Sequence, residues 1–577
     1  MNLSKEKRER LLNYLEKLKE NKEDEDIRII SEIENALNEK KYGLVWEEHS
    51  EKVDEDLKTK IPLFTEVKDR RIEKDKEKPY NFLLEGDNLH SLKLLQKTHK
   101  GKIDVIYIDP PYNTGNKDFI YNDQYVDKTD GYSHSKWLSF MEKRLRIARE
   151  LLTEEGVIFI SIDDNEQAQL KLLCDEVFGG ENFVNSISVK MSESTGVKMT
   201  HVGKRLPKLK EYILFYSKRI INLKLNEIKI PKDKWDDEYK ILIEGVTKQE
   251  LDEIKKIINA ESITIEDIQN LDDICRKIRF SNISKLLNKV QNNDKLNILY
   301  ENSYRIVRDV ATSDGAKKIA DSKRLEHNIC EGAFLIKTAK NKGYLIRGDY
   351  SPVSKQPRMK LLFADQYLDI KIGDFWEDIK TTGLGNEGEV NLLNGKKPLK
   401  LLDRLLKLSS CKNSTILDFF AGSGTTGHAV AKLNAEDGGN RKYILCTNNE
   451  NNICEDVTYK RLCNIQNELP HNLKYFKTDY IQKFSSDEVV SEMMLHICEM
   501  IELEHHINLD NKKYVLCYSE EELEDCINKI SSNGTLFITS GIFMTSNEQK
   551  ILDEKHVNVV EVPEYYFSEE LRELGEI

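Results

Sequence analysis

The sequence predicts an α/β fold: one helix-covered sheet, interrupted by an inserted α+β domain and followed by a small C-terminal α/β domain. Three observations carry that expectation. Strand-length apolar runs such as Ile103–Ile108 and Gly156–Ile162 are continuous rather than alternating, which marks strands buried on both faces. Helical segments alternate with these runs, as the crossovers of a parallel sheet require. Between 186 and 375 the rhythm stops, and from 376 it resumes.

Residues 1–60 read as an N-terminal helical segment, with a hairpin over 1–40. Ser4 can cap its first helix, where Leu11, Leu12, Leu15 and Leu18 share a face, and Ile29, Ile30, Ile33 and Leu37 repeat the pattern. Residues 61–185 are the first half of the sheet domain. Asn81–Asp87 is a strand ending in a polar turn, Leu89–Thr98 a helix, Ile103–Ile108 a strand, Glu142–Leu152 a helix and Gly156–Ile162 a strand. Residues 186–375 are the insertion, with short charged helices over Lys248–Gln291 among strands and basic loops. Residues 376–479 complete the sheet domain with a helix over Lys400–Leu408 and a strand over Thr415–Phe419. A Gly-rich turn, Phe420–Thr426, then opens a helix through Leu433, and Tyr443–Cys446 is the next strand. Residues 480–577 are an acidic C-terminal domain with strands over Tyr514–Cys517, Leu536–Ile538 and Val557–Val562.

At 577 residues, 39% hydrophobic and 33% charged, the chain has room for several cores and the texture of a soluble protein. No apolar run approaches the ~20 residues of a membrane span. Met1–Arg8 lacks the apolar stretch of a signal peptide, so a cytoplasmic location is expected. The ten cysteines include no Cys-x-x-Cys pair, and Cys446, Cys454 and Cys463 are too far apart for a zinc knuckle. They read as reduced small hydrophobes, and no metal site is expected; His505-His506 has no third ligand nearby.

The net charge of −13 is unevenly placed. Residues 480–577 hold 21 acids against 7 bases, which leaves the rest of the chain near neutral. Lys190–Arg219 carries eight bases against two acids, and Tyr304–Lys360 thirteen against six, so a basic nucleic-acid face is within reach. His201, among Lys198, Lys204 and Arg205, could touch phosphate or be an ordinary surface residue.

Asp109-Pro110-Pro111-Tyr112 closes the strand Ile103–Ile108. Two successive prolines end the ladder and fix the chain direction, leaving the Pro110 carbonyl beside the Asp109 carboxylate. Those two acceptors can take both hydrogens of an exocyclic amine, and Tyr112 offers a face to an unstacked base. The bland alternative is a strand terminator with Tyr112 as core filler. The second motif runs Asp418-Phe419-Phe420-Ala421-Gly422-Ser423-Gly424-Thr425-Thr426-Gly427. Its glycines allow close backbone approach to a ligand where strand becomes helix. No Gly-Lys-Ser/Thr follows, so a phosphate loop is excluded, and a dinucleotide loop fits poorly. A small cationic cofactor such as S-adenosylmethionine suits it better, with Asp418 facing the sulfonium or amino group.

Together these motifs resemble the DNA amino-methyltransferases, which pair a Phe-x-Gly-x-Gly cofactor loop with an Asp/Asn/Ser-Pro-Pro-Tyr/Phe catalytic loop. Here the catalytic motif comes first, the order of the permuted β class. The resemblance implies a circularly permuted Rossmann-like methyltransferase sheet, with its catalytic half at 61–185 and its cofactor-binding half at 376–479. It implies a target recognition domain at 186–375. Leu84–Leu89 is similar to the family's acidic turn near the cofactor adenine, through Asp87. Asn394-Gly395-Lys396-Lys397-Pro398-Leu399 is similar to the Lys-Pro segment that closes over the methionine end, and Asp374–Ile379 to the stretch before it. Glu450, after Tyr443–Cys446, stands where the family places a carboxylate on the ribose hydroxyls, although Glu436–Asn440 lengthens the connection. More narrowly, the chain resembles the modification (Mod) subunits of type III restriction systems, through Asp109–Gly115, Ile160–Glu166, Glu211–Tyr216, Gly43–Trp46 and Glu564–Phe567.

That resemblance implies catalytic roles for Asp109, Pro110, Pro111 and Tyr112. It implies cofactor contacts for Asp87, Lys397, Pro398, Asp418, Phe420, Ala421, Gly422, Ser423, Gly424, Thr425, Thr426 and Glu450. The expected reaction is methyl transfer from S-adenosylmethionine to N6 of a flipped adenine in double-stranded DNA. Expected associations are a homodimer and a helicase–nuclease restriction subunit. Cytosine-N4 methylation is the nearer alternative, since the family tends to pair Asp with adenine and Ser with cytosine. A role mainly in DNA recognition for a partner helicase–nuclease is the more distant one. No nuclease cluster is evident in the chain.

Overall fold

The computed structural model describes residues 14–15, 19, 30, 46, 49–115, 119–121, 124–126, 130–192, 206–231, 234–288, 294–379, 384–390, 396–483, 493–539, 541–562, 566 and 572. Most of the hairpin expected over 1–40 lies outside them, as do residues 43–45, Lys198, His201, Lys204, Arg205, Asn394, Gly395, Glu564, Tyr565 and Phe567. The chain divides into two compact units, one of residues 1–226 with 374–577 and one of 227–373.

The larger unit is built on a ten-stranded sheet. Its strands are β1 (Lys60–Glu66), β2 (Tyr80–Glu85), β3 (Ile103–Ile108), β4 (Leu152–Ile162) and β5 (Phe183–Lys190). They continue with β6 (Lys210–Ser217), β7 (Phe375–Trp376), β8 (Thr415–Asp418), β9 (Lys442–Thr447) and β10 (Asn472–Gln482). Across the sheet the order is β1-β10-β2-β9-β8-β3-β4-β6-β5-β7. From β10 to β4 all neighbours are parallel, so their carboxyl ends share one edge.

The sheet is mixed rather than wholly parallel: β1 is antiparallel to β10, and β6 is antiparallel to β4 and β5. This corrects the expected start of the insertion at 186. Strands β5 and β6 form an antiparallel pair hydrogen-bonded into the main sheet, and the second unit begins only at Glu227. The run Ile213-Leu214-Phe215-Tyr216 is buried on both faces, which only a place inside a covered sheet provides.

Five helices bear on the site: α1 (Asn88–His99), α2 (Ser133–Leu151), α3 (Leu399–Ser409), α4 (Thr425–Asp437) and α5 (Ile497–His505). Helix α2 starts well before the expected Glu142, because Trp137, Leu138, Met141 and Leu145 extend its apolar stripe. Strand pleating sends alternate residues to opposite faces. Phe82, Leu84, Ile106, Ile108, Ile158, Ile160, Leu417 and Ile444 pack with Leu89, Leu92, Trp137, Met141 and Ile501. Their strand neighbours Leu83, Val105, Phe159, Ile416 and Leu445 are equally buried. On that second face lies α4, where a Cβ on Gly427 would stand 3.1 Å from Leu445 and 3.3 Å from Tyr443. Each fully buried aliphatic side chain contributes about 1.5–3 kcal/mol.

Strands Tyr514–Cys517, Thr535–Ile538 and Asn558–Glu561 form a separate three-stranded parallel sheet over a small core of Val515, Leu523, Ile527, Leu536 and Leu552. Phe537 and Tyr566 nevertheless pack into the main core with Met500 and Ile501 of α5. This region therefore belongs to the larger unit. All ten cysteines are free. Among the described residues no helix is long and apolar enough to cross a membrane.

The unit of residues 227–373 is an antiparallel six-stranded sheet carrying helices Lys248–Asn259, Ile265–Lys277 and Asp314–Glu326. Much of its basic stretch is neutralised within the unit. Arg347 pairs with Asp309 and Asp349, Arg358 with Asp309, Lys323 with Asp272 and Lys317 with Asp321.

Gly86, just past β2, has φ +149°, and a Cβ there would stand 2.1 Å from Thr478 Oγ1 on β10. Gly86→Ala should therefore destabilise the protein by on the order of 1–3 kcal/mol. Adding Thr478→Ala should recover only part of the steric cost, since the Cβ of residue 478 still stands 2.8 Å away, and none of the backbone strain. Urea unfolding of the three variants checks this; equal midpoints for Gly86→Ala and wild type would contradict it.

Candidate active site at the carboxyl edge of the sheet

Strands β3 and β8 are hydrogen-bonded neighbours, with Val105 opposite Ile416 and Ile106 opposite Leu417. The two motifs, some 310 residues apart in the chain, therefore leave the same sheet edge side by side.

The Asp109–Tyr112 turn is held from several directions. Trp137, fully buried on α2, donates its indole N–H to the Pro111 carbonyl at 2.7 Å. Asn113 follows at φ +54°, and its amide donates to the buried Glu166 carboxylate at 2.6 Å, which also meets His134 Nδ1 at 2.6 Å. Tyr112 donates its hydroxyl to Glu211 Oε2 at 2.9 Å. The Lys397 ammonium donates to Glu211 Oε2 at 2.7 Å and to the Tyr112 hydroxyl at 2.5 Å. It also lies 3.2 Å from Asp109 Oδ1, a longer ion-pair contact. Burial raises the Asp109 pKa, Lys397 opposes that rise and Glu211 adds to it. Burial alone would lower the Lys397 pKa, but Asp109 and Glu211 together raise it. Burial lifts the Tyr112 phenol well above its ordinary range.

The Gly-rich turn is fixed just as firmly. Asp418 ends β8, and its carboxylate accepts from the Phe420 N–H at 3.0 Å and from the Thr426 hydroxyl at 2.5 Å. Burial pushes Asp418 up to about 7 despite those two bonds. Ala421 donates its N–H to the Cys446 carbonyl at 3.1 Å, tying the turn to β9. Gly424, at φ +71°, caps α4, and Gly422 has φ +49°. A Cβ on Gly422 would meet nothing nearer than the Phe420 carbonyl at 3.8 Å, so the loop is open at that point. Arg461, fully buried, donates to Thr425 Oγ1 at 2.8 Å and Ser423 Oγ at 3.2 Å; Thr458 donates to the Gly422 carbonyl at 2.5 Å.

Other expected residues converge on this edge. Asp87 caps α1 through the Leu89 N–H at 2.7 Å, and the adjacent Asn88 donates to the Phe419 carbonyl at 2.8 Å. Pro398 precedes α3, and the Lys397 carbonyl accepts from Thr425 Oγ1 at 3.3 Å. The Lys397 side chain, however, turns toward Asp109 and Tyr112. Glu450 is exposed in the 450–452 turn after β9, where Asn449 instead makes the local bonds, accepting from Cys454 and Glu455 N–H at 3.1 and 3.3 Å.

Sequence reasoning missed Glu211, Trp137, Glu166, Arg461 and Thr458. Glu211 left a signal, a carboxylate opening an otherwise apolar strand run. Arg461 and Thr458 left none, since their roles depend on where the following helix folds back.

Fold and site together define a doubly wound α/β protein whose functional edge lies where its central strands end. The chain belongs to the DNA methylase family, whose N6/N4 profile matches residues 103–459. It is 33% identical over 382 residues to a Haemophilus influenzae protein described as a "probable type III restriction-modification enzyme HindVI Mod subunit", covering 62% of this chain and 48% of that one. It is 32% identical over 464 residues to the type III restriction-modification enzyme EcoPI Mod subunit of Escherichia phage P1, covering 74% and 66%. It is 30% identical over 421 residues to the type II methyltransferase M.KpnI of Klebsiella pneumoniae, covering 69% and 90%. The chain thus spans about half to two thirds of the length of these two type III relatives.

Asp418 gives a pH signature. Its folded pKa, about 7, lies above its ordinary value of 3.8, so its contribution to stability is full below about pH 4 and is lost as pH rises through about 7. Against Asp418→Asn, wild type should lose stability across that window, by roughly 1.4 kcal/mol for each tenfold difference in proton affinity between the folded and unfolded chain. Melting midpoints of both proteins over that range test it, and parallel curves would count against the buried carboxyl.

Proposed function

We propose that the chain is an S-adenosylmethionine-dependent DNA methyltransferase that modifies N6 of an adenine swung out of the duplex. The observation that carries this is the pairing of β3 with β8, which sets the Asp109–Tyr112 turn beside the Asp418 turn. The cofactor suits the residues present. Asp418 is a buried carboxylate held near neutrality, which a cationic ligand would return to its charged form. Gly422 leaves open space along the loop, and Asp87 stands on the adjoining turn. When bound there, S-adenosylmethionine supplies an electrophilic methyl group on a sulfonium.

The chain's own residues position the other reactant. Trp137 already occupies the Pro111 carbonyl, which leaves the Pro110 carbonyl and Asp109 carboxylate as the two acceptors for an amine. Held by both, the amine's lone pair turns out of ring conjugation, so placement and polarity supply the rate without a strong base. The Tyr112 ring offers a stacking face for the base. Glu450, exposed after β9, is within the same edge as a candidate ribose partner.

On this reading the sheet is circularly permuted, its catalytic strand preceding its cofactor strand in the chain. The unit of residues 227–373 is the target recognition domain, reading base edges in the duplex. The Mod relatives support a place as the modification and recognition subunit of a type III-like restriction system, with a helicase–nuclease partner. A homodimer and a cytoplasmic site of action complete the proposal.

Asp109→Ala should reduce methyl transfer about a thousandfold while leaving S-adenosylmethionine binding by calorimetry nearly unchanged. Undiminished transfer would remove Asp109 from the mechanism. Nucleosides from DNA modified by the wild-type protein should contain N6-methyladenine; N4-methylcytosine in its place would reassign the target base.

A further inference from the structure

The Lys397 ammonium is held by three oxygens, those of Asp109, Glu211 and Tyr112, at 3.2, 2.7 and 2.5 Å. Lys397 is buried and Tyr112 half-buried, and the ammonium stands 4.9 Å from the centre of the Tyr112 ring. An ammonium and an exocyclic amine are both nitrogen donors, and both need the Asp109 carboxylate and the space over Tyr112. They cannot hold that place together. Resting on the proposed amine-methylating function, we propose that Lys397 is a placeholder for the target amine, and that Glu211 is the anchor onto which its ammonium withdraws when a base arrives.

Two features support an exchange over a permanent plug. The contact to Asp109 is the longest of the three, whereas the contact to Glu211 is short and well directed. Withdrawal also keeps the cation in the cleft. Glu211 lies near enough to Asp109 to raise its pKa, so without the Lys397 cation the Asp109 carboxylate would take up a proton more readily. Lys397 thus opposes protonation of Asp109 and gives up the position without leaving its counter-ion. Glu211 and Lys397 act through Asp109, so both are positioning residues.

The chemistry assigns opposite effects to the variants. Glu211→Gln removes the anchor, so the ammonium stays on Asp109; kcat should fall at least tenfold, with the KM for DNA raised. Lys397→Met leaves two carboxylates without their cation, so the acid limb of the rate profile should move to higher pH. The double variant has neither the plug nor the second carboxylate. On the plateau of its own pH profile it should recover most of what Glu211→Gln alone loses.

The measurement uses the full chain, tritiated-methyl S-adenosylmethionine and unmethylated duplex DNA, with melting curves of each variant across pH alongside. Lys397→Met should gain stability relative to wild type as pH falls, because the Asp109 carboxylate freed of its cation takes up a proton at higher pH, and the double variant should gain less. Wild type that transfers no methyl group to any DNA would end the functional reading and this proposal with it. Transfer by wild type with a double variant no better than Glu211→Gln, or melting curves for Lys397→Met that parallel wild type, would overturn the placeholder alone.

Discussion

Every feature of the candidate site depends on the parallel pairing of β3 with β8. In a sheet covered on both faces, each ladder hydrogen bond is shielded from water, and a slip of one residue would turn buried side chains to the wrong face. The register of Val105 with Ile416 and Ile106 with Leu417 is therefore rigid. It fixes where both strands end, and so where Asp109 and Asp418 begin their turns. Strands β9 and β2, next in the sheet, bring Glu450 and Asp87 to the same edge by the same means.

Around that edge the protein keeps charge in places where water is scarce. Asp418, Asp109, Lys397 and Arg461 are all largely withdrawn from solvent, and each is held by polar contacts to its neighbours. Buried ion pairs contribute little net stability, because desolvation offsets attraction. Their retention here is better understood as positioning. Arg461 ties Ser423 to Thr425, and its burial lowers its pKa to about 10, still leaving it a cation. Arg144 does similar work at the acidic turn, gripping Glu51 through both guanidinium nitrogens at 3.0 Å and Asn88 at 2.6 Å. Asn88 in turn donates to the Phe419 carbonyl, so the acidic turn and the Gly-rich turn are tied together.

On the proposed function, the electrostatics of the edge suit a cationic cofactor at Asp418 and a neutral amine at Asp109. Asp418 sits near neutrality for want of a positive partner, while Asp109 has one in Lys397. Two carboxylates with different partners thus end neighbouring strands at one sheet edge.

The sequence by itself determined the elements and the loop chemistry. Apolar runs such as Ile103–Ile108 state that a strand is buried, consecutive prolines state where it stops, and glycines state where a ligand can come close, because all three are local backbone constraints. Tertiary structure alone decided which strands became neighbours and which side chains met. That β5 and β6 join the main sheet, that Lys397 turns to Asp109, and that Glu211, Trp137 and Arg461 reach the two loops are consequences of packing between segments far apart in the chain. Apart from the carboxylate that opens the apolar run at Glu211, such contacts leave no local pattern, and even that carboxylate reads the same whether it faces solvent or a buried ammonium until the strand's neighbours are known.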